Sequence, residues 1–337
     1  MARAVCLSLA SFCPSTGAAE DVLLLRPAPS ASGVVRLVGE ITDVNSRELR
    51  LRLASGSERR VPVDQVLSAT TVRSTEAEAG DERFAAFDFA GALTHYRAAL
   101  QPKGESRNWM RRSIVAQAIW CYRALDNDEL AARTFIEVLL PSDPEGSQLD
   151  CVPLCWRPRP MTLSLERSAG EWLRNDKSPW TALIGASYMF GSRDQGSAID
   201  RLKRLTSDSD RRVSWLAEAQ LWRQSLVAES PERLVERLQS IDGCPEAYRA
   251  GPYYLVGAAL LKKRPDDGAL ALLRLPILYP RERALAAASL LAAGQSLQER
   301  GQPQQAMRLY RELADRYPGS TEAGAATTRL SAGAGQP

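Results

Sequence analysis

The sequence predicts an all-α solenoid of helical hairpins preceded by a small N-terminal β meander of three or four strands. Three observations carry this. Side-chain periodicity is two between Gly33 and Val72 and becomes helical from Ser74 onward, and a small, small, large pattern then recurs along the helices. A chain of 337 residues, 45% apolar and 25% charged, is long enough for one or two domains with a sizeable core. Its 43 basic and 40 acidic side chains leave too small an excess for a phosphate-binding face, so no nucleic-acid partner is expected. A single histidine, His95, excludes sites that need two, HExxH zinc hydrolases among them. Five lysines against 38 arginines make the basic set lopsided towards planar, bidentate donors.

Residues 1–19 read as a signal peptide. Arg3 supplies the charged start, Ala4 to Phe12 the apolar stretch, and Thr16-Gly17-Ala18-Ala19 the small-residue cleavage site. The apolar stretch is far shorter than the ~20 residues that cross a bilayer, and no other window is long and apolar enough for an integral membrane span. Cys13 follows Phe12 rather than a small residue, which removes the lipoprotein reading. The expected chain is exported, periplasmic or envelope-associated, and soluble. Cleavage would leave Cys121, Cys151, Cys155 and Cys244, whose three possible disulfide pairings stay open.

Residues 20–73 form the β segment. Val34 to Ile41, Leu49 to Leu53 and Arg60 to Val63 are its strands, with turns at Asn45-Ser46 and Ser55-Gly56. A unit of this size buries little alone and is expected to pack on the helices C-terminal to it. Fourteen amphipathic stretches then run from Thr75–Phe87 to Thr321–Leu330, Asp128–Leu140, Gln195–Leu205 and Pro231–Ile241 among them, paired by short polar breaks. They divide into a first block at 74–144, a proline-rich connection at 145–162, a second block at 163–330 and a disordered tail at 331–337. The connection contains Trp156 and two cysteines, and is expected to be pinned rather than free.

The clearest repeat lies near the C-terminus. From Gly294 on one helix, Ala306 and Tyr310 follow on the next at intervals of 12 and 16 residues, and Tyr317-Pro318 ends the pair. The same ruler on Gly80 finds Ala92 and Tyr96; on Gly257 it finds Ala269 and Leu273. In another unit Ile119 replaces the glycine ahead of Ala131 and Phe135, and Gly185, Ala198 and Leu202 fit with one extra residue. Small residues let two helices approach, a bulky one fills the gap beyond, and proline stops the second helix. At these positions the chain resembles the tetratricopeptide repeat family, in the degenerate form of bacterial envelope proteins. That resemblance covers about Ser74 to Leu330 and implies a superhelical adaptor whose inner surface holds a peptide or another protein.

No nucleophile elbow, phosphate loop or dinucleotide fingerprint is present. Neither catalytic, cofactor-binding nor metal residues are therefore assigned. Asp208 and Asp210 read as a helix cap. The candidate partner-binding residues are Arg112, Trp120 and Arg123, which share one helix face by three-and-four spacing, together with Trp222 and Arg223. The expected function is non-enzymatic protein binding. Alternatives are a self-assembling envelope component and an enzyme with an acid-pair mechanism.

Overall fold

The computed structural model describes residues 20–27, 33–45, 47–144, 146–158 and 160–334. The expected signal peptide and residues 335–337 of the expected tail lie outside them. Two compact units divide the chain between Val152 and Pro153, within the proline-rich connection, and residues 126–129 cluster with the second.

The first unit opens with an antiparallel sheet of five strands among the described residues: β1 (Asp21–Leu25), β2 (Val35–Val44), β3 (Glu48–Arg52), β4 (Glu58–Pro62) and β5 (Val66–Thr70). The order is β4-β3-β2-β1-β5, so β2 to β4 are the expected meander strands, β1 extends the meander at its start and β5 returns to the far edge beside β1. Strand β2 serves both halves. Val35–Gly39 pairs with β1, and Glu40–Val44 pairs with β3 across a bulge between Ile41 and Asp43. Pro62 sits on edge strand β4, where its missing N–H costs no ladder bond.

Two strands exceed the sequence expectation. Strand β1, Asp-Val-Leu-Leu-Leu, is apolar at four successive positions, so its period of two shows in burial, with Asp21, Leu23 and Leu25 buried and Val22 and Leu24 half-buried, and not in residue type. Strand β5 carries small residues at Ser68 and Ala69 and gives little periodic signal.

Helices α1 (Thr75–Ala85), α2 (Phe89–Ala99) and α3 (Asn108–Ala124) close over the sheet. Leu23, Ile41, Leu51 and Val61 share one buried core with Ala77, Tyr96, Met110 and Ile114. The β segment is thus not a separate body. Helix α4 (Asp128–Thr134) stops short of the expected Leu140 and continues as a π turn, Phe135–Leu139, that buries Phe135 and Leu139.

The second unit holds α5 (Leu163–Leu173), α6 (Pro179–Met189), α7 (Gln195–Leu205), α8 (Arg211–Ser225), α9 (Pro231–Ile241), α10 (Ala250–Leu261), α11 (Pro265–Leu278), α12 (Arg283–Glu299), α13 (Pro303–Arg316) and α14 (Thr321–Ala334). Starts are chemically marked. Thr162, Ser178 and Ser230 accept the N–H three residues on, and Pro179, Pro231, Pro265 and Pro303 open their helices. Each helix from α5 to α8 packs on the next, as does each from α9 to α14, and α6, α8, α10, α12 and α14 also touch in that order.

Some local geometries recur between helix pairs. A β-carbon on Gly80 would lie 2.5 Å from the Tyr96 ring, and one on Gly294 would lie 2.6 Å from Tyr310. Seven residues after Gly80, Ile119 and Gly294, the chain turns left-handed at Phe87 (φ 62), Asp126 (φ 55) and Gly301 (φ 74). Tyr279-Pro280 repeats the stop of Tyr317-Pro318: the tyrosine backbones stand at φ −126, ψ 56 and φ −127, ψ 46. Two rulers shift. Gly257 meets Leu272 rather than Leu273, and Gly185 meets the backbone of α5 rather than α7. In the first, Gly268 already brings α11 against Gly257, moving the large residue one position earlier.

Candidate functional site

The five candidate residues fall into both units, and each is packed. In the first unit Arg112 is a clamp: its side chain is 11% exposed and donates to the Val44 carbonyl at 2.6 Å, Asp43 Oδ1 at 3.1 Å and the Ser142 carbonyl at 3.2 Å. It ties α3 to the end of β2. Trp109 Nε1 adds a bond to the Ile41 carbonyl at 3.1 Å. Trp120 is buried, with the Arg123 guanidinium 4.3 Å from its ring centroid, and Arg123 Nη1 reaches the Cys151 carbonyl at 3.5 Å. The helical spacing does bring Arg112, Trp120 and Arg123 onto α3, but the partners seen are the chain's own.

In the second unit Trp222 is buried edge-on to Trp215 at 6.5 Å, with Arg237 5.0 Å above its ring. Arg237 forks onto Glu229, whose carboxyl that contact holds below its usual range. Arg223 faces a different environment. Its Nη1 donates to the Cys155 carbonyl at 3.3 Å, the Ser187 carbonyl at 3.0 Å and Gln220 Oε1 at 2.9 Å, and its guanidinium lies 4.2 Å over Phe190. Among the described residues Arg223 meets no carboxylate, and burial lowers its pKa.

Those contacts converge on Pro153–Arg157, a stretch with neither helix nor strand. Its main chain is read by side chains: Cys155 N–H donates to Ser187 Oγ at 3.0 Å, and Gln220 Nε2 donates to the Cys155 carbonyl at 3.1 Å. Trp156 is buried against Gly251, where any side chain would collide with the indole. Arg157 pairs with the buried carboxylate of Glu322. The receiving residues sit on α6, α8, α10 and α14. Ser187 and Gln220 gave no sequence signal, because a lone buried serine or glutamine matches no motif. Gly251 next to Pro252 could have marked a place where something bulky approaches.

Other polar groups have local roles. Asp210 caps α8 and accepts from Arg212 and Trp180 Nε1. His95 Nδ1 lies 2.8 Å from Glu76 Oε2. No disulfide joins Cys121, Cys151, Cys155 and Cys244 to one another, and burial pushes the thiols of Cys121 and Cys244 up to about 12. No group of three or more metal-ligating side chains gathers among the described residues, and no described helix is long and apolar enough to cross a membrane. No family model, curated protein or solved structure matches the chain.

Proposed function

We propose that the chain is a non-enzymatic scaffold of the tetratricopeptide type, an α-solenoid of hairpins exported to the cell envelope, where it binds a protein or peptide. The observation that carries the reading is the Pro153–Arg157 contact set. Helices α6, α8, α10 and α14 present one hydroxyl, one amide, one arginine, one glycine slot and one carboxylate to an extended stretch of chain. Side chains that read main-chain N–H and C=O groups are what a peptide-holding face requires. Shared left-handed turns, Gly–Tyr contacts and Tyr-Pro stops support the repeat assignment.

Crosslinking in intact cells, followed by mass spectrometry, tests the function. The expected result is a protein partner with crosslinks to α6, α8 and α10, and a mature N-terminus near Glu20. Absence of any crosslinked protein would remove the scaffold; an intact Met1 on cytoplasmic protein would remove export.

A second reading, stacking between copies, is favoured by α11, where Leu270 and Ile277 are 67% and 72% exposed at a two-turn spacing. Light scattering should then show concentration-dependent growth that Leu270→Lys with Ile277→Lys abolishes. A wild-type mass that stays monomeric would remove that reading.

A further inference from the structure

Pro153–Arg157 is held as a ligand is held rather than as a core element is. A loop ordinarily satisfies its backbone groups through local turns or water. Here the Cys155 amide and carbonyl are bonded by side chains 32, 65 and 68 residues away in sequence, and Arg157 is paired with a residue 165 positions on. The largest side chain, Trp156, enters a slot that exists because residue 251 is glycine. No disulfide retains the stretch, since Cys155 is a free thiol whose Sγ donates to the Arg157 carbonyl at 3.1 Å. Arg223, buried with neutral acceptors, spends its donors on carbonyl oxygens of the stretch and of α6 instead of on a carboxylate.

We propose that Pro153–Arg157 is a tethered ligand, occupying in cis a peptide site whose partner in trans is an extended segment carrying tryptophan followed by a basic residue. The inference rests on the scaffold reading above and specifies its ligand and its control. The three contacts to the Cys155 main chain fix an extended backbone, the glycine slot selects the aromatic residue and Glu322 selects the cation after it. Tethering gives the strap an effective concentration in about the millimolar range, so a free segment competes only when it binds tightly or when the strap is weakened.

The probe is a fluorescent hexapeptide, Val-Pro-Leu-Ser-Trp-Arg, titrated by anisotropy into the full chain. Leu154→Ser with Trp156→Ser weakens the strap, and circular dichroism checks that the helices persist. At least about tenfold tighter binding to this variant than to wild type is expected. Adding Gly251→Leu should abolish it, and adding Glu322→Arg should reverse the preference from a probe ending in arginine to one ending in glutamate. A folded variant without saturable binding, or with binding indifferent to both changes, overturns the proposal. Should the double variant not fold, hydrogen exchange on the wild-type chain decides. Saturating probe should expose the Cys155 amide, and unchanged protection overturns the proposal. A wild-type dimer that the probe dissociates also overturns the cis assignment, the segment then coming from a second copy. A cellular partner whose capture the probe does not affect leaves the scaffold reading standing and removes only the tethered ligand.

Discussion

Arginine and tryptophan serve different ends in the two units. In the first, Arg107, Trp109 and Arg112 bond sheet to helix: Arg107 forks onto Glu105 and reaches the Val72 carbonyl, while Trp109 and Arg112 take the carbonyls of Ile41 and Val44. Both cations there have carboxylate partners, Glu105 and Asp43. In the second unit Arg223 has neutral acceptors, one of them on an inserted stretch of chain. Composition does not separate the two uses. The acceptors do: Arg112 adds the Asp43 carboxylate to its carbonyl bonds, whereas Arg223 has neutral oxygens alone, one of them the Cys155 carbonyl.

Trp109→Ala should give the largest effect, a loss of about 4 kcal/mol seen in chemical denaturation, from the buried ring and its bond to Ile41. Exchange protection should fall across β2 and α3, and an unchanged β2 would break the architectural half of the comparison. Next, Leu272→Ala should cost about 3 kcal/mol and Leu273→Ala less than about 1, because Leu272 fills the space beside Gly257. Equal costs would restore the ruler that places Leu273 there.

The sharpest contrast is removal of each cation by a side chain of similar length. Arg112→Met loses an ion pair and two carbonyl bonds, and should cost about 2 kcal/mol. Arg223→Met also loses bonds but relieves a desolvated charge that no carboxylate balances, so global stability should move by less than about 1 kcal/mol. Its signature is local, as faster exchange at the Cys155 amide. If Arg223→Met destabilises as much as Arg112→Met, the two arginines do the same job and the comparison fails.

Legibility in the sequence depends on which forces leave a periodic trace. Helix stretches were readable because burial repeats every 3.6 residues and because Ser, Thr and Pro mark the starts; Gln195–Leu205 and Pro231–Ile241 carry the same bounds in pattern and structure. Strand β1 leaves no alternating trace because Val22 to Leu25 are all apolar whichever face they line, and the α11 register differs because Gly268 brings the helices together one position ahead of Ala269. Arg112 and Arg123 share a helix face as their spacing requires, but spacing says nothing of what stands opposite. The Pro153–Arg157 site was invisible for the same reason: its residues lie on four helices, and each has an ordinary identity for its place.

Acid titration gives the smallest effect. At Glu105 burial pushes the carboxyl up, but the side-chain and backbone hydrogen bonds of Arg107 more than offset it and the net shift is down. Asp210 follows the same balance with Arg212, and Glu229 is lowered chiefly by Arg237. A carboxyl depressed in the folded state contributes stability that is complete above its unfolded range and lost as pH falls through the folded value. Both units should therefore weaken on acidification below the ordinary carboxylate range, the second more steeply because it holds two of these three groups. Glu105→Gln should flatten the pH dependence of exchange in the first unit and leave the second unchanged. If it flattened both, the acid response would be global, and the units would unfold together rather than as the separate bodies in which their arginines are differently employed.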